Sequence, residues 1–167
     1  VKNLRLGVNI LGLVAVGLMI ASMFYSWWSF TIMEYKKSDV YPYLITGPAT
    51  EIIGYKRSPQ MTLLTGVLIT CIVLAFLGSV LKGKSSRIIL IISGLLALLG
   101  AWRLLARVTG VAARFEIPIQ GEGIAVYEGF AQIDVMTRIE PGTYLIVAGA
   151  ILAILAGLLH SRVRLGA

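Results

Sequence analysis

Apolar positions in this chain run in long unbroken blocks. Four stand out: Gly7–Phe24, Met61–Leu81, Ile88–Trp102 with an extension over Leu104–Ala106 around Arg103, and Thr143–Leu159. A helix rises ~1.5 Å per residue and the hydrocarbon core of a bilayer is ~30 Å thick, so about 20 mainly apolar residues make one crossing. The pattern predicts transmembrane helices at about 7–28, 59–82, 86–107 and 141–160 in a single domain covering 1–167. Local signals mark their starts. Ser58-Pro59 offers an N-cap followed by a proline in the first helical position, Glu140-Pro141 does the same for the fourth helix, and Ser85 or Ser86 suits the third. Trp27 and Trp28 after the first block, and Trp102 in the third, are expected to anchor in the headgroup region.

The stretches 29–58 and 108–140 are too long for simple turns and carry a period of two. Phe115, Ile117 and Ile119 alternate with Glu116, Pro118 and Gln120. Gly121-Glu122-Gly123 reads as a turn and Ile124–Tyr127 as a return strand, and Ile133, Val135, Thr137 and Ile139 alternate again. The earlier stretch has extended pieces at Phe30–Tyr35, Tyr41–Ile45 and Glu51–Tyr55. The expected fold is all-α membrane, a four-transmembrane-helix bundle with a small extracellular β-layer formed by the two outer loops.

Charge orients this bundle. Lys2, Arg5, Lys82, Lys84, Arg87, Arg162 and Arg164 fall on one side of the apolar blocks with no acidic residue among them. The other side holds all 8 acidic residues and as many basic ones, so the whole net charge of +7 lies on the first side. Cytoplasmic loops carry the Lys/Arg excess, which puts both termini and the 82–87 turn in the cytoplasm and the chain in the plasma membrane. The basic balance then reflects topology, and no nucleic-acid partner is expected. The first block also imitates a secretory signal, with Lys2 and Arg5 ahead of it and Ala21 and Ser22 near its end; it is expected to remain as a helix.

Composition removes most chemistry. Hydrophobic residues make up 57% of the chain and charged ones 14%, against about 25% charged in soluble domains. With Cys71 the sole cysteine and His160 the sole histidine, an intrachain disulfide, a CxxC motif and a four-cysteine metal site are excluded, and a bis-histidine haem lacks its second ligand. Cys71 reads as a small packing residue and His160 as an interfacial residue at the end of the fourth helix. Residues 78–85, Gly-Ser-Val-Leu-Lys-Gly-Lys-Ser, match the phosphate-binding loop pattern. That loop needs a preceding strand, and here an apolar helix precedes it, so no nucleotide is expected; Lys82, Lys84 and Arg87 suit anionic lipid headgroups. Glu116, Glu122, Glu128, Asp134 and Glu140 recur at every sixth position, a spacing that fits no familiar cation loop. They read as solvated strand edges, and neither a metal nor a cofactor is expected.

Lipid supplies no hydrophobic drive between helices, so small residues must let backbones approach. Gly17 and Ala21, then Cys71, Ala75 and Ser79, then Ser93, Ala97 and Ala101, then Gly149, Ala153 and Gly157 recur at spacings of four, each set on one helical stripe. They suit packing within the chain, with any surplus stripe left for another copy or a partner. Arg103 and Arg107, beside Trp102, are the candidate functional charges. They suit snorkelling to the outer headgroups, or a buried Arg103 pair with Glu116 or Glu140 that would orient the second loop.

The plan of helix, long β-rich loop, helix, tight basic turn, helix, loop, helix, with Trp27 and Trp28 after the first helix, resembles the claudin-like tetraspan families across the whole chain. The first loop lacks the claudin cysteine pair, so the resemblance implies architecture alone. The stretch from Pro141-Gly-Thr-Tyr144 to Gly157 is similar to the last helix of small prokaryotic four-helix membrane proteins, and the scarcity of Asn, Gln, His and Cys fits a prokaryotic, thermophilic source. The leading expectation is a non-enzymatic structural or accessory subunit, in contact with membrane lipids and packing with other membrane proteins or with itself. The alternative is a homo-oligomeric pore or transporter in which Arg103, Arg107 and Arg114 favour anions.

Overall fold

The computed structural model describes residues 8–32, 36–48, 50–51, 56–81, 83–127, 131–159 and 164–165. In chain order they form β1 (Val8–Asn9), α1 (Ile10–Phe24), β2 (Trp28–Ile32), β3 (Lys36–Val40), β4 (Ile45–Thr46), α2 (Pro59–Val80), α3 (Lys84–Arg114), β5 (Gly121–Tyr127), β6 (Ala131–Ile139), α4 (Pro141–Leu158) and β7 (Arg164–Leu165). Three of the helices, α2, α3 and α4, are long and apolar enough to cross a membrane; α1 is equally apolar but has 15 residues.

Helix starts follow local chemistry. The Asn9 side chain accepts from the Gly12 backbone N–H and caps α1, the Ser58 hydroxyl accepts from Met61 N–H and caps α2, and prolines open α2 and α4. The third helix differs from expectation. Gly83 is its N-cap, at φ 121°, a left-handed conformation that only glycine adopts without cost. Ser86 turns inward instead, where its hydroxyl donates to the Gly78 carbonyl of α2.

Helices α1 to α4 form a closed ring, each packed on its neighbour in sequence and α4 on α1. Asn9 Nδ2 donates to Ala156 O, Gly12 lies against Ser79, and Gly78 lies against Leu90. The start of α1, the end of α2, the start of α3 and the end of α4 therefore share one end of the bundle. At that end β1 pairs with β7, bringing the residues that lead into α1 beside Arg164 and Leu165. At the other end lies a five-stranded antiparallel sheet of order β4-β3-β2-β6-β5. Strand β2 pairs with β6 through Trp28↔Ile139 and Phe30↔Thr137, so the two inter-helix segments build a single sheet.

The bundle is packed small side inward. Its buried helical positions include Gly12, Ala15, Cys71, Ala75, Ser79, Ser93, Gly94, Ala97, Ala101, Gly149, Ala150, Ala153 and Gly157. The outward positions are large: Val14, Ile20 and Phe24 on α1, Leu63, Val73 and Phe76 on α2, Ile88, Leu95 and Leu99 on α3, Ile151 and Leu158 on α4. Close approach is literal. A Cβ at Gly94 would lie 2.6 Å from Ala150 O, and one at Gly149 would lie 3.1 Å from Ala15 O. The buried hydroxyls of the helices donate to backbone carbonyls, as Ser93 Oγ to Cys71 O at 2.7 Å, Ser22 Oγ to Met19 O at 2.7 Å and Ser79 Oγ to Ala75 O at 2.6 Å. That matters where no water is present to take them.

Several boundaries depart from the sequence reading. The first helix ends at Phe24 and not near 28, because Trp27 N–H donates to Val40 O and Trp28 opens β2. The third helix continues to Arg114, well past 107, because Val108 and Ala112 extend its buried stripe. The expected strand over 115–119 is absent. Phe115 caps α3, Glu116 takes φ 56°, and Ile117 N–H returns to Ala112 O, closing the helix with a left-handed residue that is usually glycine. Gly121–Gly123 is the start of β5 and not a turn, and the strands of the first segment fall at 28–32, 36–40 and 45–46. Glu51 is helical, while 52–55 lie outside the described residues.

Two predictions follow from this packing. Gly94→Ala drives a methyl into the Ala150 carbonyl and is expected to cost ~1–3 kcal/mol in thermal unfolding in mild detergent, while Gly17→Ala, which meets nothing within 4 Å, costs nothing. Glu116→Gly relieves the left-handed conformation and is expected to stabilise by roughly 1 kcal/mol in the same assay.

Candidate functional site at the junction of sheet and bundle

The residues of most concentrated polarity meet where the sheet joins the helices. The chain leaves α1 through Tyr25–Trp27 and enters β2, while β6 ends at Ile139 and passes through Glu140 into α4. Trp27 ties these paths together. Its carbonyl accepts from Glu140 N–H at 3.1 Å and from Thr143 Oγ1 at 2.7 Å, and its indole N–H donates to Ser22 O at 2.9 Å. Gly142 lies against the Trp27 ring and the Tyr25 and Ser26 carbonyls, so a side chain there has no room.

Above this joint lies a charged cluster. The register sets Ser29 opposite Asp39, and Lys37 and Asp39 point to the same face of β3. Glu140 Oε1 accepts from Ser29 Oγ at 2.6 Å and meets Lys37 Nζ at 3.1 Å. Lys37 Nζ also lies 3.2 Å from Asp39 Oδ1, which is buried and receives no well-directed hydrogen bond. Burial acts most strongly on Lys37 and would lower its pKa, but hydrogen bonds and charge from Glu140 and Asp39 together leave it raised. Glu140 is the mirror case. Burial would raise its pKa, yet the Ser29 and Lys37 hydrogen bonds and the charges of Lys37 and Arg138 leave it lowered.

The chemistry this permits is holding rather than transfer. A serine activated by a lysine needs the neutral amine. Here Lys37 is held as the cation by two carboxylates, and the Ser29 hydroxyl donates its hydrogen bond to Glu140. The cluster is a charge clamp joining β2, β3 and the head of α4.

The sequence-selected residues fall elsewhere. Cys71, Ala75, Ser79, Ser93, Ala97, Ala101, Gly149, Ala153 and Gly157 are buried between helices. Ala21 is half-buried, and Gly17 is on the outer surface of α1 with open space beside it. Trp27 and Trp28 are 0% and 4% exposed, so they are core residues and not headgroup anchors; Trp28 Nε1 donates to Ile119 O at 3.0 Å. Trp102 is 61% exposed. Arg103 and Arg107 are both exposed on α3, and no carboxylate among the described residues pairs with Arg103, which replaces the expected buried pair. Gly78 belongs to α2 and Lys84 opens α3, so the phosphate-loop pattern is a helix–helix turn. His160 and Lys82 lie outside the described residues. Among the described residues no three of His, Cys, Asp and Glu gather where they could hold a metal.

Lys37 and Ser29 had no signal in the sequence. They converge through the pairing of β2 with both β3 and β6, which no local pattern announces. No protein-family model matches the chain, and no curated protein matches it.

The clamp predicts a pH dependence with a definite sign. The lowered Glu140 pKa contributes stability that is present above its unfolded value, near 4.3, and is lost as pH falls through the folded value. The raised Lys37 pKa contributes stability that is full below its unfolded value, near 10.4, and is lost as pH rises through the folded value. Lys37 is half exposed, so the pair is worth ~1 kcal/mol or less. Melting curves are expected to drop below about pH 4 in the wild type and to lose most of that acid limb in Glu140→Gln.

Proposed function

We propose that the chain is a four-span integral membrane protein that serves as a non-enzymatic structural or accessory subunit, its sheet exposed outside the cell as a contact surface. The observation that carries this reading is the inverted packing. Large apolar side chains point outward on all four helices, and most inward positions are glycine, alanine or serine, with Met19, Leu68, Leu90 and Ile146 filling the space between them. Such a surface is insoluble in water and well matched to lipid.

Helix α1 is the shortest, ~23 Å over its 15 residues. It joins as the fourth span because it packs against both α2 and α4 and turns Val14, Ile20 and Phe24 outward without a charge. The β1–β7 pair and the α2–α3 turn share one end of the bundle, and Lys84 and Arg87 lie there with no acidic neighbour in sequence. This is the cytoplasmic side by the excess of positive charge. The sheet then faces outward, built jointly from both loops as in the claudin-like plan. Arg103 and Arg107, exposed toward the sheet end of α3, reach the outer headgroups.

The interior favours an architectural role over conduction. It is closed by glycine–backbone contacts and by hydroxyls satisfied within the chain, so any solute path would have to run between copies. The partner is another membrane protein or a second copy, met through the sheet or the outer helix faces.

Two measurements test this. Single cysteines placed at Lys84 and at Glu122 in a Cys71→Ala background are expected to react with an impermeant maleimide in intact cells only at Glu122; labelling of both positions from outside removes the topology. Gentle extraction followed by native mass measurement is expected to give a defined complex, and a strict monomer in the native membrane removes the subunit role.

A further inference from the structure

Two concavities lie near the head of α2, one lined as far as Arg57 and the other from Pro59 onward. The first, about 370 Å³, is lined by Leu44, Ile45, Thr46, Gly47, Thr50, Lys56 and Arg57. Lys56 and Arg57 are exposed, and no carboxylate among the described residues pairs with either. They immediately precede Ser58, the N-cap of a 22-residue helix whose positive end adds to the attraction for an anion. The second, about 660 Å³, starts at Pro59 and runs along Leu63, Gly66, Val67 and Thr70 of α2, with Leu96 of α3 as its far wall.

We propose that these two concavities hold one anionic phospholipid of the outer leaflet, its phosphate between Lys56 and Arg57 and an acyl chain along the groove floored by Gly66. The assignment rests on the membrane reading above. From Pro59 to Thr70 the helix rises ~17 Å, about half of a ~30 Å hydrocarbon core and thus the reach of one leaflet's acyl chains. The groove asks for an apolar occupant. Thr62 and Thr70 return their hydroxyls to Ser58 O and Gly66 O of their own helix, Leu63 is 71% exposed, and nothing lies within 4 Å of where a Gly66 side chain would begin. A helix from a second copy would fill the same groove, but the four apolar blocks carry no carboxylate of their own to set beside Lys56 and Arg57, whereas a phospholipid carries its anion on the acyl chain that fills the groove. Charge complementarity selects the lipid, since polybasic groups at a membrane surface gain about 1 kcal/mol each from anionic headgroups.

The test is native mass spectrometry of the full chain released from nanodiscs of mixed phosphatidylglycerol and phosphatidylcholine. The wild type is expected to retain phosphatidylglycerol preferentially. Lys56→Gln with Arg57→Gln is expected to reduce that preference about tenfold. Gly66→Leu, which fills the groove from the lipid side without touching the bundle, is expected to reduce retention of both lipids while the melting temperature stays unchanged. Equal retention of the two headgroups by the wild type overturns the proposal, as does stabilisation by inorganic phosphate alone that matches the lipid and ignores Gly66→Leu. A dimer that Gly66→Leu dissociates, with no lipid retained, gives the groove to a second copy and overturns it too. Release of the chain from membranes by alkaline carbonate is a failure of the membrane reading and removes the site with it; firm membrane retention without headgroup preference removes the site alone.

Discussion

Helix α4 lies against both α1 and α3 through inward positions that, apart from Thr143 and Ile146, are glycine or alanine. Gly142 meets the Tyr25–Trp27 backbone, Gly149 meets Ala15 and Met19 of α1, and Gly157 meets Arg87 and Ile91 of α3. At each contact a side chain and a neighbouring backbone carbonyl both crowd the place a Cβ would take: Trp27 with Ser26 O, Met19 with Ala15 O, and Ile91 with Arg87 O. In lipid the apolar surface of one helix gains little by leaving solvent for another helix, so dispersion at short range and satisfied polar groups must supply the cohesion. The glycines make that short range possible, and the ring of four helices closes through α4.

The same helix carries the sheet. Because Gly142 leaves room, the carbonyl of Trp27 comes within reach of Glu140 N–H and Thr143 Oγ1. This turns the exit of α1 against the entry to α4 and delivers β2 and β6 side by side. Once they pair, the Ser29, Lys37, Asp39 and Glu140 side chains have little choice but to meet. The charge clamp is therefore a product of the joint. Its own contribution is small because Lys37 is half exposed. The sheet and bundle are thus one mechanical unit.

The outer surface is less uniform than its apolar content suggests. Most of it is a convex field of leucine, isoleucine, valine and phenylalanine suited to fluid lipid. Along α2 the threonines and Gly66 leave a groove in that field, and its first lining residue, Pro59, follows closely on Lys56 and Arg57, which no carboxylate among the described residues pairs with. Small residues facing inward hold the chain together, whereas small residues facing outward leave room for something else. The same residue type thus has opposite consequences on the two sides of one helix.

The four apolar blocks, the capping residues Ser58 and Pro141, and the stripes around Cys71, Ser93 and Gly149 were all legible because they depend on local rules: a period, a missing N–H, a charge that cannot enter hydrocarbon. The existence of a sheet was legible from the alternation at 133–139 for the same reason. The end of α3 was not, since Glu116 occupies the left-handed position where a glycine would have announced the stop, and the alternation of Phe115 to Ile119 imitated a strand. Nor was the burial of Trp27 and Trp28, whose aromatic character suits a headgroup layer and a core equally well. The junction cluster was hidden altogether, because Ser29, Lys37 and Glu140 are distant in sequence and their meeting depends on which strands pair. The sequence by itself determined where apolar helix had to form and which helical faces were small. Which strand lies beside which, and so which charges meet, was decided only by tertiary packing, because hydrogen bonds between distant backbones carry no local pattern.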